Sequence, residues 1–332
     1  MDPLTQGLVG ATLPQSFAKK INIWVASACG FLAGLAPDLD VFIRSSEDPL
    51  LFLEYHRQFT HSLIFIPFGG CICAFLFFYL TRRWINLTFK QALIFCTMGY
   101  STHALVDACT TYGTMLFWPF SDERIAWNTI SIIDPLFTIP VLTLVVFAII
   151  KKNQKYARFA LIWIFGYLAL GLIQRENAID MGRILAEGRG HNIVRIDAKP
   201  SFANILVWKI VYETEEKFYV DAVRAGLSPK IFEGDSLFKL DVNRDFSWLD
   251  SESQQAKDIK RFSWFSNGYV AVDPAQLNRI VDVRFSTVPN EIKALWAIRL
   301  NKDYTSNSHV VYETSRGNIK ASFKKLYKML FL

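Results

Sequence analysis

HRQFTHSLIFIPFGGCICAFLFFYL, residues 56–80, decides the fold. Two histidines and an arginine lead straight into an apolar run, 62–80. A bilayer's hydrocarbon core, about 30 Å thick, takes about 20 such residues to cross. Working outward, residues 21–36, 89–110, 132–150 and 157–173 read as further spans, although 89–110 carries His103 and Asp107. The opening MDPLTQGLVGATL is too short to cross and reads as an interfacial or re-entrant helix. Lys19 and Lys20 read as the flank of a retained anchor, not of a cleaved signal.

The chain is 52% hydrophobic over 332 residues, with positive mean hydropathy, too apolar for an ordinary soluble protein of this size. The long apolar runs stop at residue 173. Beyond it, NILVWKIVYETEEKFYVDAV reads as two alternating strands around a Glu-rich turn, and GYVAVD, RIVDVRFSTV, ALWAIRL and HVVYET as further strands. Residues 318–332 read as a basic amphipathic helix, resting on the bilayer or packed on the strands. The expected fold is an α-helical polytopic membrane domain, 1–173, followed by a smaller, soluble, strand-rich α+β domain, 174–332.

The net charge of +6 is spread among acidic neighbours, with no basic stripe of interleaved aromatics, so no nucleic-acid partner is expected. All five cysteines lie in the apolar half without zinc or redox spacing and read as small buried groups. Lysine and arginine in the short loops set orientation. Lys19-Lys20, Arg82-Arg83 with Lys90, and Lys151-Lys152 with Lys155 and Arg158 alternate consistently if all three groups are cytoplasmic. The C-terminal domain then lies outside, which for a bacterial inner membrane is the periplasm.

That topology puts Asp38, Asp40, His56, Arg57, His61, His103, Asp107 and Asp134 at one face of the membrane. Taken singly, each has a plain reading. His103 and Asp107, four apart, form a hydrogen-bonded pair on a helix face; Asp38 and Asp40 end a helix; His56 and Arg57 anchor to headgroups. Charge at bilayer depth costs roughly 2.5–3.5 kcal/mol and is usually paired in a protein interior. Together Asp38, Asp40, His56, His61, His103 and Asp107 supply imidazoles and carboxylates in a mixture that suits zinc, with manganese the alternative. His191 and His309 lie in the soluble half and read as ordinary histidines without partners.

MDPLTQGLVGA, GLAPDLD, HRQFTHSL and HALVDACTTYGTMLFWPFS, in that order over residues 1–173, resemble the YdjM-like family of LexA-regulated, inner-membrane-bound metal-dependent hydrolases. That family is distantly similar to the helical zinc phospholipase C and P1-nuclease group, which implies phosphoester hydrolysis by analogy. The resemblance implies Asp38, Asp40, His56, His61, His103 and Asp107 as metal ligands. Many members carry histidine after the N-terminal threonine; here Gln6 follows Thr5, so one ligand is missing and one or two metals are expected. Arg57 is expected to stay free for an anionic group of a lipid or lipid-linked substrate. Asp40 or Asp107 is expected to take a proton from water. Thr60 and Ser62 are expected to orient ligands or to cap the following helix, capping being the plainer reading for Ser62. Phe117, Trp118 and Phe120 read as an acyl entrance or as an interfacial aromatic belt. Rival readings are a zinc amidase or esterase, and a non-enzymatic scaffold or transporter.

Overall fold

The computed structural model describes residues 1–226, 228–315 and 317–332. In the N-terminal half, helices begin where the sequence supplies caps. The Asp2 carboxylate accepts from the Thr5 N–H at 3.0 Å, and Pro3 opens helix α1 (Pro3–Phe17). Helix α2 (Ile23–Leu35) tightens into a 3-10 turn, Ala36–Phe42, at Pro37. A short α3 (Leu51–Tyr55) and 3-10 turns at Phe59–His61 and Leu63–Phe65 precede α4 (Ile66–Thr81). Thr88 and Gln91 form a reciprocal capping box at the start of α5 (Phe89–Ala108). Helices α6 (Pro135–Ile150) and α7 (Lys155–Gly188) complete the helical half.

The chain forms two compact units. The first comprises Met1–Ile43, Tyr55–Ile173 and Phe202–Asn204; the second comprises Arg44–Glu54, Gln174–Ser201 and Ile205–Leu332. The segment 44–54 reads from sequence as part of an outer loop, yet it folds with the strands of the second unit.

In the first unit, α1 packs on α2, α5 and α6, and α4 packs on α5. The α1–α2–α5 contact depends on glycine. A Cβ on Gly10 would lie 2.5 Å from the Gly30 carbonyl oxygen, and one on Gly99 would lie 2.5 Å from the Gly30 Cα. Ile23, Ala26, Cys29, Phe95, Cys96 and Tyr100 fill the space around this crossing. The outer surface is apolar: Phe68, Ile72, Leu76 and Leu80 on α4, and Phe159, Ile162 and Phe165 on α7, are all exposed. An apolar exterior of this extent belongs in lipid.

Among the described residues, three helical stretches are long and apolar enough to cross a membrane: Ile23–Phe42, Leu63–Thr81 and Lys155–Gly188. The expected span at 132–150 is the shorter apolar helix α6. The expected span at 89–110 is a helix of 20 residues, but its buried face carries Tyr100, His103 and Asp107, which dilutes its hydropathy. Helix α1 is largely buried among its neighbours. Cys29, Cys96 and Cys109 are buried as expected, whereas Cys71 is exposed and Cys73 half-buried on α4.

The second unit is built on antiparallel sheets. The first has β1 (Arg195–Pro200), β2 (Val207–Glu213), β3 (Lys217–Arg224) and β4 (Lys230–Phe232) in that order, with β5 (Ser236–Phe238) also on β3. After α8 (Val242–Asp245) and α9 (Gln254–Phe265), the second sheet runs β6 (Val270–Asp273), β7 (Gln276–Asp282), β8 (Trp296–Arg299) and β9 (Val311–Thr314). Val211, Phe218 and Val220 of the first sheet share one core with Ala271, Val281 and Ala297 of the second. Helix α10 (Ile319–Phe331) buries Leu326 and Met329 against Val207 and Val288, so its apolar stripe covers strands. The molecule is thus a helical membrane domain followed by a soluble α+β domain.

Candidate metal centre

The Cα–Cβ directions of an α-helix put residues four apart on one face, so α5 presents His103 and Asp107 together. Their face meets the end of α2, where Pro37 turns the chain and brings Asp38 and Asp40 inward, and the Phe59–His61 turn that leads into α4. Donor atoms of Asp38, His61, His103 and Asp107 converge into one group, and those of Asp38, Asp40 and His56 into a second.

The spacing in the first group is specific. His61 Nε2 lies 2.9 Å from His103 Nε2, 3.5 Å from Asp38 Oδ1 and 3.4 Å from Asp107 Oδ2. His103 Nε2 lies 3.3 Å from Asp38 Oδ1 and 3.7 Å from Asp107 Oδ2. Zinc ligands at about 2.0–2.2 Å from the ion, placed tetrahedrally, are about 3.3–3.6 Å from one another. The five distances scatter around that range.

Tautomers agree with this use. His103 Nδ1 is 2.6 Å from the Gly34 carbonyl oxygen, which can only accept, so Nδ1 carries the proton and Nε2 presents a lone pair. His61 Nδ1 lies 3.2 Å from Asp40 Oδ2 and 3.0 Å from Thr60 Oγ1. A carboxylate behind a ligating imidazole fixes its ring and raises its basicity. Two imidazole lone pairs facing at 2.9 Å repel unless a proton or a metal cation lies between them. Burial opposes a charged His61, but its hydrogen bonds to Asp107, Asp38 and Asp40 outweigh burial and push its pKa up to about 10. The site therefore strongly favours positive charge.

Asp40 is fully engaged. Its Oδ1 meets His56 Nδ1 at 2.7 Å, and its Oδ2 accepts from the Arg57 N–H at 2.9 Å and from Thr60 Oγ1 at 2.8 Å. The backbone that allows this is unusual: Arg57 sits at φ 64°, a left-handed conformation that is sparsely populated for non-glycine residues. Burial, reinforced by the Arg57 charge, pushes His56 down in pKa against its hydrogen bond to Asp40.

Arg57 is not free, contrary to expectation. Its side chain is buried, with Nε 3.0 Å from Asp107 Oδ2, Nη1 donating to Thr110 Oγ1 at 3.0 Å, and the guanidinium over the Tyr112 ring. Ser62 does not cap α4; its hydroxyl donates to the Phe59 carbonyl. Asp134, expected at the same face, stands outside both groups. It caps α6 and accepts from Tyr167 at 2.9 Å. Phe117 and Phe120 are exposed, and Trp118 is half-buried with its ring near Phe59. Nor are the remaining histidines partnerless: His191 bonds to Tyr212 and His309 to Asp258.

Three contributors escape the sequence reading. Gln6 is fully buried and donates from Nε2 to Asp107 Oδ1 at 2.6 Å, while its Oε1 is buried without a hydrogen-bond partner. The α-amino group of Met1 also meets Asp107 Oδ1. The third is the Gly34 carbonyl, which no residue type signals. For Gln6 the sequence offers two signals, an amide set in an otherwise apolar stretch and its place where many members of the resembled family carry histidine. The fit to a divalent cation is good: an acceptor-rich donor set at tetrahedral spacing, oriented imidazoles, and a buried amide oxygen in need of a partner.

Inner membrane protein YbcI of Escherichia coli (strain K12) is 27% identical over 154 residues, covering 43% of this chain and 80% of that protein. No solved structure matches. The family model described as YdjM inner membrane protein matches residues 1–178, which contain every residue of the cluster, and the chain belongs to that inner-membrane family.

Proposed function

We propose that this protein is a membrane-bound, metal-dependent hydrolase that cleaves a phosphoester of a lipid or lipid-linked substrate at the outer face of the inner membrane. In this reading residues 1–173 form the hydrolase domain and 174–332 an extracytoplasmic domain. The observation that carries it is the convergence of His61 Nε2 and His103 Nε2 on each other and on Asp38 Oδ1 and Asp107 Oδ2 at 2.9–3.7 Å. These four residues would hold the ion, zinc first and manganese second. When bound, such an ion supplies Lewis acidity to a water and to the substrate oxygen.

The chain's own residues supply the rest. Asp40 holds the rings of His61 and His56 in register. His56, partly exposed, donates from Nδ1 to Asp40, which leaves Nε2 as the atom that accepts a proton. Arg57 balances the charge of Asp107, and a fixed cation beside the donor group supports an anionic substrate. Helix polarity supports the outer-face assignment. The donor-bearing ends of α2, α4 and α5 lie opposite the ends next to Lys19-Lys20 and Arg82-Arg83 in chain order.

The test is metal content after purification in detergent. Wild-type protein is expected to carry about one zinc or manganese per chain. His61→Ala and His103→Ala are expected to lose most of it, and His191→Ala to keep it. Mixed micelles of phospholipids and lipid-linked phosphates, set against carboxylic ester and amide lipids, then sort the chemistry. Wild-type levels of metal in both cluster variants would remove the ligand assignment. Turnover of the ester or amide lipids alone would remove the phosphoester reading.

A further inference from the structure

The segment 44–54 lies between two parts of the candidate centre. Asp40 precedes its departure after Ile43, and His56 follows its return at Tyr55. The two ends of the excursion are tied together at the site, where Asp40 Oδ1 meets His56 Nδ1 at 2.7 Å. Its body is built into the second unit. Leu50 and Leu53 are 1% and 2% exposed, and the Phe52 ring packs edge-on against Tyr312 at 5.2 Å.

One side chain dominates the attachment. Arg261, on α9, donates through Nη1 and Nη2 to Asp48 at 3.0 and 2.7 Å, and through Nε to Glu54 at 2.5 Å. The same Nη1 reaches Asp258, one helical turn earlier, at 3.0 Å. Asp258 in turn accepts from the Val310 N–H at 3.1 Å and meets His309 Nδ1 at 2.8 Å. A guanidinium in bidentate contact with one carboxylate fixes direction as well as distance, and here it also grips a second carboxylate of the same segment. Glu54 stands two positions before His56, so little chain is left between them to absorb a displacement.

We propose that Arg261 is a positioning residue for the metal centre: by clamping Asp48 and Glu54 it fixes the segment 44–54, and with it the Asp40–His56 pair that orients His61. This rests on the metal-binding reading given above. It gives the C-terminal half, which extends beyond the family match, a part in the site: the second unit holds the chain that joins two of its parts. Releasing the clamp leaves a longer free loop to be closed each time Asp40 and His56 meet, an entropic cost charged to the site.

The experiment uses the full chain in detergent, with two readouts. Metal affinity is measured by chelator competition, with zinc and manganese as the probes. Hydrogen exchange of the metal-free protein follows amides 51–57, including the Arg57 N–H held by Asp40. Arg261→Ala is expected to weaken metal binding ~10-fold, as losses of orienting partners do, and to speed exchange at 51–57. Arg261→Lys should recover part of both. Asp48→Asn with Glu54→Gln should match Arg261→Ala, and combining all three should add nothing further. Arg189→Ala, which breaks the Arg189–Asp221 ion pair in the same unit, is the control for general destabilisation and should leave both readouts unchanged.

Wild-type affinity and exchange in Arg261→Ala would overturn the proposal, as would equal losses in Arg189→Ala. If wild-type protein binds neither metal, the hydrolase reading fails. The exchange arm then still decides whether Arg261 holds the Asp40–Arg57 contact.

Discussion

At Asp40 one carboxylate meets two imidazoles, a backbone N–H and a hydroxyl. With its acceptor positions filled, it suits the holding of ligands more than the binding of an ion. That distinction is measurable. Asp40→Asn is expected to lower metal affinity on the order of 10–100-fold while leaving the site fillable at high metal concentration. His61→Ala should be unfillable under the same conditions. If the two variants behave alike by equilibrium titration, Asp40 is itself a ligand. Most of this was legible in the sequence. The His-x3-Asp spacing on a helix and the Asp-x-Asp beside a proline point at one face, and the structure brings them within bonding distance of one another. What could not be read is what binds the ligands from behind. The Gly34 carbonyl acts through the backbone, and Gln6 resembles any buried amide until Asp107 is placed beside it. The engagement of Arg57 is hidden from the sequence because its partners, Asp107 and Thr110, are distant along the chain.

Helices α1, α2 and α5 meet at glycine, and that meeting sets where the donors end up. Gly34 presents its carbonyl to His103 because Gly10, Gly30 and Gly99 let the helix backbones approach closely. A methyl group on Gly30 would run into the Gly10 carbonyl and the Pro14 ring of α1. Gly30→Ala is therefore expected to destabilise the helical unit by about 1–3 kcal/mol, the usual range for overpacking, and to reduce metal binding by moving Gly34 from His103. Gly166→Ala, on α7 with open space around its Cβ position, should do neither. Melting in detergent, followed together with metal content, checks both; a Gly30→Ala protein with wild-type melting and metal would show that the crossing tolerates separation. In the second unit β2, β3 and β6–β9 fall where the sequence pattern predicts strands, although burial does not alternate: all seven residues of β2 are buried, and Val211 shares a core with Phe218, Ala271 and Val281. The helical half was harder to read at this scale. A helix whose polar face lines a protein interior loses the hydropathy that identifies a span, as α5 does. The short first helix looked interfacial because sequence gives no sign that three other helices surround it.

For the whole molecule, the membership of 44–54 in the second unit restricts topology by parity. That segment and residues 205–332 fold together, so they occupy one side of any membrane. Between Glu54 and Gln174 the chain must then cross an even number of times. Of the helices in between, α4 and α7 lie in stretches long and apolar enough to cross, whereas α6 is short and α5 is polar on one face. Parity excludes one of α5 and α6 crossing without the other. At 1.5 Å per residue, the 20 residues of α5 reach about 30 Å, the thickness of the hydrocarbon core, so both crossing is physically open. Arg57 and His61, just before α4, meet Asp107 and His103 near the end of α5, so α5 returns to the side from which α4 departs. That favours both crossing, with the basic groups at 82–90 and 151–158 together on the cytoplasmic side. The prediction has two parts. A reporter active only in the periplasm, fused after Leu332, is expected to be active. In a chain whose five native cysteines are replaced, a membrane-impermeant thiol reagent applied to intact cells is expected to label Ser46→Cys and to miss Trp84→Cys and Asn153→Cys. Labelling at Trp84→Cys or Asn153→Cys without Ser46→Cys would reverse the orientation and place the metal centre on the cytoplasmic face. Labelling at Ser46→Cys and Asn153→Cys but not Trp84→Cys would mean that α5 and α6 do not cross as a pair, and labelling at Ser46→Cys and Trp84→Cys that α4 does not cross.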